Sequence, residues 1–290
     1  MDYTSIDNDG ALIAQTAVWA GKERLAVDFE GEFNLHIYGE HLCLVQIYDG
    51  ERFFLVDPRS EGITKKGLEA FFSSPVEKVW FDVQSDASLV YKNYGIRISN
   101  VFDVRSLAMS LGDMGNLTAV EEKYLGLHAE TAKKKRQTSN WLTRPISQEN
   151  VEYALSDVAH LIDLKAALEA EVRKQHKEKE AAHLLEKAVQ VKKPDPAWTK
   201  LPGWRNLSQE ERIYAKHFFQ ARDKVARRFN VPAVRVLDKH RLTEFAIHPP
   251  KDLRKALEGE NPRYLRFLLE AMEAALALAE KEAGAGKGAS

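Results

Sequence analysis

Two carboxylates close an apolar run near the N-terminus: Asp28 and Glu30 follow Leu25-Ala26-Val27. On a strand, residues two apart share a face. Leu25, Val27 and Phe29 are therefore predicted to face one layer, and Ala26, Asp28 and Glu30 the other. Acids in an otherwise apolar layer are costly unless paired or metal-bound, and carboxylate oxygens suit a hard divalent cation. Tyr153 and Asp157 lie four apart in a segment whose Val151, Ala154, Leu155, Val158, Leu161 and Ile162 are apolar. That spacing puts phenol and carboxylate on one helical face, within reach of one point. Asp86 ends Trp80-Phe81-Asp82-Val83-Gln84-Ser85, where a strand turns into a helix. Sites gather at such junctions, although an Asp there can also cap the helix. Taken singly, each pattern is common: Asp-x-Glu often faces water at a sheet edge, and Tyr-x-x-x-Asp is often an exposed helical pair.

The elements that must position these residues follow from periodicity and turn signals. A helix is predicted over Ala11–Ala20 after Asn8-Asp9-Gly10, and a strand over Leu25–Glu30. Cys43–Tyr48 and Arg52–Val56 read as strands around the Asp49-Gly50 turn. Helix is expected at Leu68–Phe72, strand at Lys78–Val83, and helix at Ala87–Tyr94, ended by Gly95. A short strand at Asn100–Phe102 leads into a helix at Ser106–Leu111. Residues 117–127 and a long helix within 147–172 complete the front part. Antiparallel strands followed by strand–helix alternation imply a mixed sheet flanked by helices. Residues 173–193 are charged and helix-prone, with little sign of a core of their own, and from about 198 to 283 the pattern is almost wholly helical.

In their order and surroundings the carboxylates resemble the DEDD exonuclease superfamily, in its tyrosine-bearing ribonuclease D branch. The first motif is Val27-Asp28-Phe29-Glu30, with Leu44-Val45-Gln46-Ile47 and Leu55-Val56-Asp57-Pro58 behind it. The second is Asp86 with Gly95, then Phe102-Asp103-Val104 and Leu107-Ala108. The third, and the most specific, runs from Gln137 through Trp141, Arg144 and Pro145 to Tyr153 and Asp157-Val158. The resemblance is continuous over about residues 20–170. It implies an α/β fold, a ribonuclease H-like mixed sheet flanked by helices. It also implies two divalent ions, Mg2+ or Mn2+. Asp28, Glu30 and Asp157 would bind one, Asp28 would bridge to the second, and Asp86 would hold that one through water. Tyr153 would orient the attacking water.

The implied activity is 3′-to-5′ exoribonuclease cleavage that releases nucleoside 5′-monophosphates from single-stranded RNA ends. Transfer RNA precursors are the substrate that the family suggests. The same metal site would serve an exonuclease of DNA or short oligonucleotides. A non-catalytic RNA-binding adaptor is the rival reading, and retention of all five positions argues against it. Lys134, in the run Lys133–Arg136, matches a lysine of the family; Lys134, Lys135 and Arg136 are expected to hold the phosphate backbone. The chain departs from frequent family choices at Phe29, Phe81 and Asn140, and has Asn34 and His36 where an arginine is common. None of these is a predicted metal ligand; they bear on substrate preference.

Composition sets the frame. With 290 residues, 44% of them apolar, the chain can bury a sizeable core. The single cysteine, Cys43, excludes an internal disulfide and is expected to be a buried thiol. The N-terminus has no secretory pattern and no apolar run is long enough to span a bilayer, so a cytoplasmic protein is expected, without a membrane partner or an obligatory protein partner. Net charge is −1, but it divides unevenly: residues 1–170 carry 17 Lys and Arg against 26 Asp and Glu, and the remainder 25 against 17. A basic rear half attracts a polyanion. That half resembles an HRDC domain, a small all-α nucleic-acid-binding module, through Phe219–Ala226, Asn230-Val231-Pro232, Val236-Leu237-Asp238 and Leu242–Ala246. Arg222, Lys224, Arg227 and Arg228 fall along one helix, with Arg222 and Arg227 expected to contact nucleic acid. The expected organisation is an exonuclease domain over 1–172, a connector over 173–204, the HRDC-like domain over 205–283 and a flexible tail over 284–290.

Overall fold

Apolar alternation produces a six-stranded sheet. Its strands are β1 (Tyr3–Ile6), β2 (Arg24–Phe33), β3 (Glu40–Tyr48), β4 (Phe53–Val56), β5 (Glu77–Trp80) and β6 (Val101–Asp103). Their order is β1-β4-β3-β2-β5-β6. β3 and β4 run antiparallel, while β1–β4, β2–β5 and β5–β6 are parallel. This is the expected mixed sheet. In this computed structural model the described residues are 1–127, 139–188, 190 and 195–287. They fall into two units, one drawn from Met1–Glu32 with Glu40–Lys192 and the other from Phe33–Gly39 with Lys193–Ser290.

Around the sheet of the first unit stand α1 (Asp9–Trp19), α2 (Lys65–Phe72), α3 (Gln84–Tyr94), α4 (Val104–Ser110), α5 (Leu117–Leu125), α6 (Gln148–Val158), α7 (Leu161–Lys174) and α8 (Glu178–Ala188). Local chemistry sets their ends. The Asn8 side chain accepts the Ala11 N–H at 2.9 Å, capping α1. Gly95 ends α3 in the left-handed region, at φ 70°. Gly50, at φ 90°, turns the chain between β3 and β4, and the Asp49 carboxylate accepts the backbone N–H groups of Glu51 and Arg52. β2 divides the core as its alternation requires. Leu25, Val27 and Phe29 pack with Trp19, Phe71, Phe72 and Trp80, whereas Ala26 packs with Val79, Val104 and Leu164 on the other side.

Several boundaries differ from expectation. β1 carries no strong pattern of its own and forms by pairing with β4. The strand predicted over Lys78–Val83 stops at Trp80, because Asp82 turns into the left-handed region at φ 67°. The long helix expected within 147–172 is two, α6 and α7, separated at Ala159-His160. Val158 and Leu161 bury in one cluster across the break, so the apolar period runs through it. The connector is partly structured: α8 folds within the first unit and buries Ala181 against the same cluster as Val104 and Ala108. Cys43 is buried, as expected.

The second unit is helical. α9 (Gln209–Phe229) opens with a capping box between Ser208 and Glu211, and α10 (Lys239–Ile247), α11 (Leu253–Ala256) and α12 (Pro262–Lys287) follow. Phe218, Leu242, Phe245, Leu257, Leu268 and Met272 form its core. α12 continues to Lys287, with Ala283 buried, so residues 284–287 are helical where a tail was expected; residues 288–290 lie outside the described residues. Among the described residues, no helix is long and apolar enough to cross a membrane.

Candidate active site

Two stretches of chain bring Asp28, Glu30 and Asp157 to one cleft of about 400 Å3. Asp28 and Glu30 come from β2, on the face opposite Val27 and Phe29. Asp157 comes from the last turn of α6. Each offers an oxygen, and these oxygens all lie within 4.8 Å of one another. Tyr153, one turn before Asp157, lines the same cleft. Its hydroxyl hydrogen-bonds the Asp157 carboxylate. Asp86 projects from the first turn of α3, outside the group of three but near enough for its charge to act on Asp28 and Glu30. No side chain caps α3, and Asp86 is not among the residues that line the cleft.

α6 is held in place by neighbours that do not reach the cleft. Val151, Ala154 and Leu155 pack with Cys43, Leu44 and Leu55 of the sheet. Trp141 is buried with them, its ring centroid 6.2 Å from that of Tyr153. Arg144 forks onto Asp57 at 2.6 and 2.7 Å and also donates to the carbonyls of Cys43 and Trp141. One guanidinium thereby ties the approach to α6 to the ends of β3 and β4.

The electrostatics are those of crowded, buried acids. Burial, followed by repulsion from Asp86 and Asp157, pushes the Asp28 carboxyl well above the ordinary range. Burial and the charges of Asp28, Asp157 and Asp86 do the same to Glu30. Asp86 is raised to about 8, first by burial and then by Asp82 and Asp103. No cationic side chain is among the groups that set the Asp28 or Glu30 carboxyls. A divalent cation is the partner that such an oxygen set fits. Burial, with the Asp157 and Glu30 charges behind it, raises the Tyr153 phenol far above its usual value, so it stays protonated.

The cleft also takes residues to which the sequence motifs gave no role. Asp82 and Arg105 line it and form an ion pair. The buried Asp103 carboxylate accepts the backbone N–H groups of both, at 2.8 and 3.0 Å, and is itself raised to about 6. Residues 114–117 complete the wall. Asp103 stood within a recognised motif, but nothing in the spacing of Asp82 and Arg105 reveals that one carboxylate gathers them.

The predicted nucleic-acid contacts fare unevenly. Lys134, Lys135 and Arg136 lie outside the described residues. Arg227 is exposed on α9. Arg222 is buried, 6% exposed, paired with Asp223 at 3.0 Å and stacked over Phe219. Its position on α9 turns it inward, so it serves packing and is not a surface contact.

The family model of 3′-5′ exonucleases matches residues 3–173. Ribonuclease D of Nitrobacter hamburgensis is 28% identical over 214 residues, covering 72% of this chain and 56% of that protein. The chain spans little more than half the length of the first curated relatives it matches. Among solved structures, the catalytic core of RRP6 from Trypanosoma brucei superposes with a TM-score of 0.72 at 22% identity, over 95% of this chain and 80% of that one. Escherichia coli RNase D, described as an exoribonuclease involved in structured RNA processing, superposes with a TM-score of 0.71 at 24% identity, over 97% and 75%. Those likenesses establish the fold. Because the family match spans more than half of the sequence and falls on the unit that carries the carboxylates, the chain belongs to the 3′-5′ exonuclease family.

Proposed function

We propose that the chain is a metal-dependent 3′-to-5′ exoribonuclease that removes nucleoside 5′-monophosphates singly from single-stranded RNA ends, such as those of transfer RNA precursors. The observation that carries this reading is the convergence of Asp28, Glu30 and Asp157 within 4.8 Å, with Asp86 beside them and Tyr153 bonded to Asp157. The likeness to an exoribonuclease from E. coli supports RNA as the substrate. In this reading Asp28, Glu30 and Asp157 hold one Mg2+ or Mn2+ ion, and Asp28 and Asp86 serve a second. When bound, the ions supply charge compensation and Lewis acidity at the phosphodiester.

The side chains do the positioning. Tyr153 remains a proton donor at neutral pH and orients water for in-line attack on the terminal phosphodiester. The new P–O bond forms as the bond to the 3′ oxygen breaks, and the shortened strand leaves with a free 3′-hydroxyl. Arg105 on the cleft wall offers its guanidinium to the phosphate. The second unit serves as an HRDC-like RNA-gripping domain over about residues 205–283, with Arg227 on its surface. Lys134, Lys135 and Arg136 are proposed contacts to the strand backbone. A cytoplasmic setting suits the lone buried thiol.

Digestion of end-labelled RNA, with DNA and a dinucleotide alongside, tests the proposal. Mononucleotides should appear stepwise from the RNA 3′ end with magnesium and stop in EDTA. Release that persists in EDTA refutes the metal mechanism; no release under any metal favours the adaptor. Faster digestion of DNA or of the dinucleotide reassigns the substrate.

A further inference from the structure

The helical unit contains a cavity of about 550 Å3 on one face of α9. Trp198, from a 3-10 turn at Ala197–Lys200, meets Phe219 there with ring centroids 6.4 Å apart, edge to face. Tyr38 lines the cavity too; its hydroxyl donates to Asp223 at 3.1 Å and accepts from Arg227 at 3.4 Å. Arg227 also lies over the Tyr38 ring, 5.4 Å from its centroid. Helical spacing brings Lys224, Arg227 and Arg228 to the same opening, all exposed. Asp223 is the one acid in the wall, and Arg222 already pairs with it.

Half-buried rings offer a surface for a flat π-system, and the exposed cations offer charge to an anion. Arg228 lies over the Phe267 ring, 4.1 Å from its centroid, and Lys224 reaches the same opening. One ligand that is both flat and anionic is a nucleotide, and the volume lies within the range of about 300–1,000 Å3 usual for small-ligand sites. Base stacking on aromatic rings with phosphates on Lys and Arg is how single strands are held without sequence preference. We propose that this cavity is a nucleotide-holding site for single-stranded RNA, a base entering against Trp198 and Phe219 while its phosphate meets Lys224 and Arg228. This rests on the RNA-handling reading above and deepens it, through residues none of which lines the carboxylate cleft.

The test uses the full chain carrying Asp28→Asn, so that the strand survives, and a fluorescein-labelled single-stranded oligouridylate followed by anisotropy. Adding Trp198→Ala should weaken binding about tenfold, and Trp198→Phe should restore most of the loss. Lys224→Gln, at an exposed position, should weaken binding and lower the slope of affinity against salt. Uridine 5′-monophosphate should compete far less well than unlabelled strand. Unchanged affinity in both Trp198→Ala and Lys224→Gln overturns the site, as does equal competition by the mononucleotide, which would assign it to free nucleotides. Digestion of end-labelled RNA by the chain with native Asp28 separates the two readings. If the parent hydrolyses nothing but Trp198→Ala costs binding, the site stands and the catalytic reading fails. If hydrolysis is normal and Trp198→Ala binds as its parent does, the site fails alone.

Discussion

Tyr153 and Asp157 show how one helical turn can combine an acid with a donor that stays neutral. Burial and the neighbouring carboxylates hold the phenol protonated, so its contribution is direction, not charge. Tyr153→Phe should lower kcat up to about a hundred-fold while leaving divalent-metal affinity unchanged; an unaltered rate would remove the hydroxyl from the mechanism. Asp86 makes a separate prediction. Its carboxyl is raised from 3.8 to about 8 in the folded chain. A group that holds its proton more tightly when folded stabilises the fold below its unfolded pKa, and that contribution is lost as pH rises through the folded value. Without metal, the protein should therefore lose stability between about pH 4 and pH 8. Asp86→Asn removes that loss and should melt higher than wild type at pH 8.5 in chelator, by on the order of a few kcal/mol. The gap should close toward pH 4, and a wild type that melts higher than the variant at pH 8.5 would contradict the account. The shared faces of Asp28 with Glu30 and of Tyr153 with Asp157 were legible in the sequence from strand and helix periods, whereas no period fixed Asp86, which was singled out through the family resemblance. Asp82 and Arg105 were not, since a tertiary contact through buried Asp103 places them.

Placement of α6 depends on what precedes it. Arg144 satisfies Asp57 with two parallel bonds and three carbonyls besides, a geometry that a lysine cannot reproduce. Arg144→Ala should cost about 1–3 kcal/mol in stability and lower kcat as Tyr153 and Asp157 drift. Arg144→Lys should recover little of either; full recovery in thermal melts and turnover would show that charge alone suffices. At this scale the sequence was informative about existence and weaker about ends. β2 and α3 stood out through alternation and Gly95. The break between α6 and α7 stayed hidden because buried Val158 and Leu161 keep the apolar period intact across it. The helical character of the connector was legible, but its docking was not: Ala181 of α8 is buried in the cluster that holds Val104 and Ala108.

Charge distribution is a property of the entire chain. In the proposed reading, the −9 carried by residues 1–170 and the +8 carried by the rest assign RNA attachment to the rear half, where Lys224, Arg227 and Arg228 are exposed. RNA affinity should then fall steadily as salt rises, the logarithm of affinity tracking the logarithm of salt concentration. Affinity independent of salt would show that the basic half does not grip the strand. Sequence revealed this asymmetry and the helical rear unit. It did not reveal that Phe33–Gly39 groups with that unit, because no local pattern records which distant partner a loop will choose.

The central claim is that Asp28, Glu30 and Asp157 form a divalent-metal site. Calorimetric titration of Mn2+ or Mg2+ into the protein, in two buffers of different ionisation enthalpy, tests it directly. Acids that hold protons this tightly must release them on binding the ion, so saturable heat that changes with the buffer is expected, and it should vanish in Asp28→Asn. Absence of saturable binding, or an identical titration in that variant, would contradict the account.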